Sequence, residues 1–199
     1  MNQSPLSNRN DYLRKIGVIF GQKTNLWWDI PVIESYEAIK ILYKVNNKEF
    51  KENFDMITEL LDLKNILHSP PRQLSLGERM RADIGLIFLY SPKILFLDEP
   101  TIGLDINIKK IVRTFIRQVN QERKTSIFLT SHDLADIEEI SVNALVLMNG
   151  SKYYHGSISE LKSKYNRDCV IKVIGTKKDN IKKYLPLIDI KEDQYETTL

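Results

Sequence analysis

"PRQLSLGERMRADIGLIFLYSPKILFLDEPTIGLD", residues 71–105, decides the fold. Its "LSLGE" predicts the start of a helix that runs to about Tyr90, and "KILFLDEP" predicts a strand. Ile94 to Leu97 are uniformly apolar, as a strand covered on both faces should be, and the chain then delivers Asp98 and Glu99 at its exit. Adjacent carboxylates are costly to bury without a cation or a proton to share. A magnesium ion beside Asp98 supplies that compensation, and Glu99 can then polarise a water that attacks a terminal phosphate. The bland alternative is a solvated loop. At the other end, Ser75 and Gly77 open a helix whose first amides carry partial positive charge, an anion-binding terminus. The same residues, with Glu78 three positions after Ser75, fit a capping box equally well, and alone the cap is favoured.

Upstream, "KIGVIF" (Lys15 to Phe20) predicts a buried strand closed by Gly21, with Gln22 just beyond it. "VIESYEAIKILYKV" (Val32 to Val45) has helical spacing and is expected to stop at Asn46-Asn47; "FDMITELLDL" repeats the pattern before Pro70-Pro71. Together they form a helical insert. Downstream, Ile108, Ile111, Val112, Phe115, Ile116 and Val119 line one face of a helix. "TSIFLTSHD" predicts a strand that brings His132 to its exit, where the ordinary reading is a hydrogen-bonded structural histidine. "LADIEEI" predicts a short helix, and "ALVLMNGSKYYHG" a hairpin about Asn149-Gly150. Beyond Gly156, "SISELKSKY" reads as a helix, "CVIKVIG" as a strand and "NIKKYLPLI" as a helix. Strands alternating with helices imply a parallel sheet with its ligand loops at the carboxyl ends of the strands.

Composition narrows the partners. With 199 residues, 42% of them hydrophobic, the chain can bury a core in one domain with a small appendage. A net charge of +3, scattered along the sequence, gives no basis for nucleic-acid binding. The single cysteine, Cys169, has no internal partner, which favours a reducing compartment. The apolar stretches fall short of the roughly twenty residues that cross a bilayer. "MNQSPLSNRN" has neither a signal-peptide nor a presequence pattern and is expected to be a frayed, polar end within residues 1–14.

In their order and spacing, Gln22, Leu74 to Glu78, Asp98-Glu99, Asp105 and His132 closely resemble the nucleotide-binding domains of ABC transporters. Gln22 matches the Q-loop, "LSLGE" the signature motif and "ILFLDE" the Walker B strand; "GLD" matches the D-loop and His132 the switch histidine. The resemblance, from Lys15 to Gly156, implies an α/β fold with a P-loop NTPase-like parallel sheet and an α-helical subdomain over about residues 30–90. It also implies ATP and Mg2+ as ligands. Glu99, His132 and Gln22 then act in catalysis, Ser75, Gly77, Glu78 and Asp105 contact nucleotide, and Asp98 and Gln22 hold the metal. "IGVIFGQKTNLWWDIPVIESYEAIKILYKV", residues 16–45, is similar to ATP-binding subunits of bacterial exporters whose membrane protein is a separate chain. The implied partners are a second ABC ATPase domain, the same or different, and an integral membrane permease that holds the chain at the cytoplasmic face of the membrane.

Two departures bear on that resemblance. Leu76 and Glu78 stand where the usual signature has glycine and glutamine. Gly-x-x-x-x-Gly-Lys-Ser/Thr, the Walker A loop that cradles phosphates, occurs nowhere in the sequence. The expectation is a domain incomplete at its N-terminus and inactive as an ATPase alone. Two other classes compete with the exporter subunit: a soluble ABC-type ATPase that does not transport, and a non-catalytic fragment or pseudo-ATPase. The tandem Trp27-Trp28 is expected in the core of the helical insert slightly ahead of an interface role.

Overall fold

The computed structural model describes residues 9–21 and 23–165. Gln22, Cys169 and the segments "CVIKVIG" and "NIKKYLPLI" lie outside the described residues. The chain divides into two compact units, residues 1–158 and 159–199. The described part of the second belongs to helix α7 (Ile158–Tyr165).

Within the first unit, strands β1 (Ile16–Phe20), β2 (Ile94–Asp98) and β3 (Ser126–Thr130) form a parallel sheet in chain order. Its register sets Phe20, Asp98 and Thr130 side by side at the carboxyl ends. Between β1 and β2 runs the helical insert: α2 (Val32–Tyr43), α3 (Asn47–Leu60), a turn of 3-10 helix at Pro71–Gln73, and α4 (Leu76–Phe88). α5 (Ile106–Arg123) connects β2 to β3, and α6 (Leu134–Ile140) follows β3. β4 (Asn143–Met148) and β5 (Ser151–Ser157) make the expected hairpin, separate from the three-stranded sheet. Its turn carries Asn149 at φ 49° and Gly150 at φ 74°, the left-handed pair of a type I′ turn.

A single apolar cluster joins the insert to the sheet. Ile19, Leu95 and Leu97 from the strands, Tyr36, Ile57 and Leu61 from the insert, Ile84, Leu86 and Phe88 from α4, and Phe115 from α5 are all essentially inaccessible. Phe88 meets Phe115 edge-on at 4.9 Å. The α5 face expected from periodicity is the buried one, through Val112, Phe115, Ile116 and Val119.

Several local expectations need correction. Arg9–Leu13 form a short helix, α1, where a frayed end is expected; Lys15 N donates to Tyr12 O to close it. Asn46 does not stop α2. That helix ends at Lys44 in the left-handed conformation, while Asn46 caps α3 by accepting from the Glu49 amide. α3 therefore starts well before the apolar pattern at Phe54. β2 is covered on only one face: Leu95 and Leu97 are buried, but Phe96 is 40% exposed and stacks on Phe128, itself 59% exposed, at 5.2 Å. The side of the sheet opposite the core thus presents aromatic rings, and its apolar run does not signal two-sided burial. Trp27 and Trp28 are also exposed by about half, out of the core. The Arg79 guanidinium lies 5.3 Å over the Trp28 ring, which lines a shallow cleft with Trp27, Asp29, Ile30 and Ala38.

Candidate functional site

The carboxyl ends of the strands gather Asp98, Glu99 and His132. The Thr130 hydroxyl donates to Asp98 Oδ1 at 2.6 Å, and the His132 ring nitrogen Nδ1 lies 2.9 Å from Glu99 Oε2. The His132 side chain is 72% exposed, while Glu99 is more enclosed. Glu99 sits at φ 52°, a left-handed conformation unusual for a non-glycine residue and common where geometry serves function. It is held there by its amide, which donates to Thr130 O at 3.1 Å and to Thr130 Oγ1 at 3.3 Å. Gly21 packs directly against this turn: its N–H donates to Asp98 O at 2.7 Å, and a side chain there would collide with the Glu99 carbonyl oxygen.

Behind the exposed pair lies a buried polar network that the sequence reading missed. Asp136 on α6 is fully buried, and so nearly is Thr101, which follows Pro100 after Glu99. The Thr101 and Ser131 hydroxyls both donate to Asp136 Oδ2, the second at 2.9 Å. Arg113 on α5 reaches Asp136 Oδ1 through Nε at 2.6 Å and also contacts Glu139 and Asp133; Lys109 pairs with Asp133 at 2.6 Å. Burial works against the Arg113 charge, but Asp136, Glu139 and Asp133 outweigh it and hold its pKa above the ordinary value. No local signal singled Asp136 out: α6 carries three acidic residues, Asp136, Glu138 and Glu139, and only the fold buries the first.

The helix terminus at Ser75 is built differently. The Ser75 hydroxyl donates to Glu78 Oε2 at 2.7 Å, the Ser75 N–H donates to the same oxygen at 2.9 Å, and the Glu78 amide returns a bond to Ser75 Oγ at 3.3 Å. This is a complete capping box. Hydrogen bonds from the Ser75 side chain and then its backbone hold the Glu78 carboxyl below its usual pKa. A side chain at Gly77 would press on Ile108, so the start of α4 lies against the start of α5. Asp105 caps α5 by accepting from the Ile108 amide at 3.0 Å. Ser75, Gly77, Glu78 and Asp105 thus belong to two neighbouring helix starts, distinct from the Asp98–Glu99–His132 cluster.

A second missed residue ties α4 to the loop after β1. Asp83 is buried and accepts the Asn25 amide at 2.7 Å, with Thr24 and Leu26 also donating. Burial raises its pKa to about 6, and those hydrogen bonds hold it from rising further.

No group of three or more metal-ligating side chains occurs among the described residues. Asp98 beside the Thr130 hydroxyl supplies hard oxygen donors at one point. That suits Mg2+, which is bound by one or two carboxylates together with phosphates and water rather than by an all-protein cage.

The profile of the ABC transporter family matches residues 1–102, a little over half of the chain. The chain is 28% identical to the ABC transporter ATP-binding protein NatA of Bacillus subtilis over 148 residues, covering 74% of this chain and 60% of that protein. It is 32% identical over 149 residues to the molybdenum import ATP-binding protein ModC of Saccharophagus degradans, covering 74% of this chain and 40% of that protein. The chain therefore spans less than two thirds of either relative. Among solved structures, an ATP-binding subunit of an ABC transporter superposes with a TM-score of 0.71 at 20% identity, over 92% of this chain and 73% of its own. A dimeric post-hydrolysis ATP-binding cassette bound to ADP and phosphate gives a TM-score of 0.66 at 20% identity, over 79% and 68%. The α/β sheet and helices described above are those of ABC ATPases, and on the family match this chain belongs to the ABC transporter family.

Proposed function

We propose that this chain works as one of a pair of ABC ATPase domains that couple ATP binding and hydrolysis to transport through a separate membrane permease at the cytoplasmic face. The observation that carries this is the Glu99–His132 contact beside Asp98, at the carboxyl ends of adjacent parallel strands. Glu99, in a left-handed turn just past the end of β2, accepts a proton from the attacking water. His132 Nδ1 pairs with Glu99, and the largely exposed ring is placed to contact a phosphate. Asp98, with Gln22, would hold the metal, and a magnesium ion bound there would neutralise charge on the phosphate oxygens. Ser75, Gly77 and Glu78, with Asp105 of the adjacent helix start, face the nucleotide held by the other domain.

Export is the direction we assign, on the resemblance of residues 16–45 to exporter subunits. The half-exposed Trp27 and Trp28 supply an aromatic surface for the permease. No described helix is long and apolar enough to cross a membrane, in keeping with attachment through that subunit.

The test is titration of the purified chain with a fluorescent ATP analogue and magnesium, alone and mixed with an ABC ATPase domain that carries its own Walker A loop. Alone, the chain should bind only weakly, because the sequence offers no phosphate-cradling loop. With the partner, one composite site should fill through Ser75 and Gly77. Micromolar binding by the chain alone would overturn this division of labour.

A further inference from the structure

Glu99 and His132 come from different loops, yet their side chains meet at 2.9 Å although His132 is largely exposed. Each loop is anchored within two residues of the pair. Thr101, two positions after Glu99, and Ser131, one before His132, donate their hydroxyls to the same oxygen, Oδ2 of Asp136. Ser131 Oγ also accepts the Asp133 amide at 3.0 Å, which fixes the hydroxyl from its other side. The other oxygen, Oδ1, is taken by Arg113 Nε and Nη2 at 2.6 and 2.5 Å. The buried carboxylate is therefore fully satisfied, and a shift of either loop would strand a buried donor or acceptor. Arg113 further secures α6 through Glu139 and Asp133.

We propose that Asp136 is a positioning residue that sets the Glu99–His132 geometry by clamping both loops to α5. It touches neither residue and acts through Thr101 and Ser131. The clamp matters to catalysis on the reading given above, in which Glu99 and His132 act on the nucleotide, but its existence does not depend on hydrolysis. α5 begins at the Asp105 cap, so the same arginine ties the paired loops to the element that starts beside the Ser75 terminus.

The experiment is a spectroscopic coupling measurement on the whole chain. The ring resonances of His132, distinguished from those of His68 and His155 by a His132→Gln control, are recorded with and without Glu99→Gln. Glu99→Gln should shift the His132 signal in the parent; absence of any shift overturns the proposal. In a Thr101→Val/Ser131→Ala background, which spares the Asp136–Arg113 pair, that shift should fall at least twofold. A shift of undiminished size also overturns it. If circular dichroism shows that the double variant is unfolded, the Thr101→Val and Ser131→Ala single variants are used, each leaving Asp136 one hydroxyl donor. Each should then give an intermediate shift, and parent-sized shifts in both overturn the clamp. In an assembly whose Asp98–Glu99 cluster itself turns ATP over, Asp136→Asn should lower kcat about tenfold or more with KM for ATP within about twofold, and Asp136→Glu should recover part of it; an unchanged kcat there overturns the positioning role. Loss of the spectroscopic coupling in an assembly that never hydrolyses ATP would leave the clamp standing and remove the proposed function instead.

Discussion

At the exits of β2 and β3, Glu99, Thr130 and His132 reach one another from separate segments, whereas at the start of α4 Ser75 and Glu78 close on each other within one helical turn. The first arrangement holds a glutamate in a left-handed turn and needs a buried network behind it. The second relieves its own helix end with capping bonds that stay within residues 75–78. Polar residues that local bonding fully satisfies have a structural reason to be where they are; the Glu99 carboxylate finds its partner, His132, only in another loop, so no local bonding accounts for it.

The strongest way to break that contrast is Glu99→Gln. If Glu99 takes the proton of the attacking water, the substitution should slow hydrolysis by about a hundredfold to ten-thousandfold in an assembly whose Glu99 cluster turns ATP over, while ATP still binds. Parallel measurement of turnover and of nucleotide retention decides it. Turnover at the parent rate would reduce the strand-end cluster to a hydrogen-bonded loop.

The sequence makes one half of this contrast far easier to read than the other. "LSLGE" and "DEP" lie in continuous segments, and the period of "KIVRTFIRQV" fixed the buried face of α5 correctly, because helix and strand repeats are local properties. What could not be read is what depends on pairing across the chain. Asp136 and Thr101 are 35 residues apart, and Asp83 and Asn25 are 58 apart. The same limit explains Phe96: an apolar strand has one composition whether one or both faces are covered, and only the placement of helices decides. Asn46 misled for a different reason, since asparagine both ends helices and caps them, and here its side chain accepts from Glu49.

Asp83, farther along α4 than the Ser75 cap, ties that helix to the loop after β1 and sharpens the comparison through pH. Its folded pKa of about 6 stands above the ordinary aspartate value of 3.8, so the folded state binds its proton more tightly than the unfolded chain. The resulting stabilisation is complete below about pH 4 and is lost as pH rises towards 6. The whole difference amounts to about 3 kcal/mol for this one group. Asp83→Asn should remove that slope, so the variant should gain on the parent between pH 4.5 and pH 7. Urea unfolding at both pH values measures it. Equal pH dependence in the two proteins would mean that the carboxylate is paid for by its hydrogen bonds from Thr24, Asn25 and Leu26.

Gly21→Ala probes the strand-end cluster by packing instead of charge. The added methyl would press on the Glu99 backbone, which is already in the left-handed region, and overpacking of that kind costs about 1–3 kcal/mol. Thermal unfolding reads the loss, and the ring resonances of His132 should move with it. A stable variant with an unmoved His132 signal would show that the turn gives way without disturbing the pair.

The smallest effect belongs to the cap, and there two substitutions separate structure from function. Ser75→Ala deletes the hydroxyl that bonds Glu78 in both directions, which should cost about 1 kcal/mol of stability. It should also release Glu78, whose lowered pKa contributes stability above its unfolded value and loses it as pH falls through the folded one. Ser75→Asp keeps an acceptor for the Glu78 amide and so should fold more stably than Ser75→Ala, but it places a negative charge where an anion would bind. If Ser75 only caps α4, Asp should outperform Ala in every assay. If Ser75 serves the nucleotide of the opposite domain, the order reverses in one assay alone: Asp should be the better folded variant and the poorer partner in ATP-dependent pairing. Thermal unfolding set beside pairing with a Walker A-bearing domain therefore decides whether this helix start is more than a closed cap.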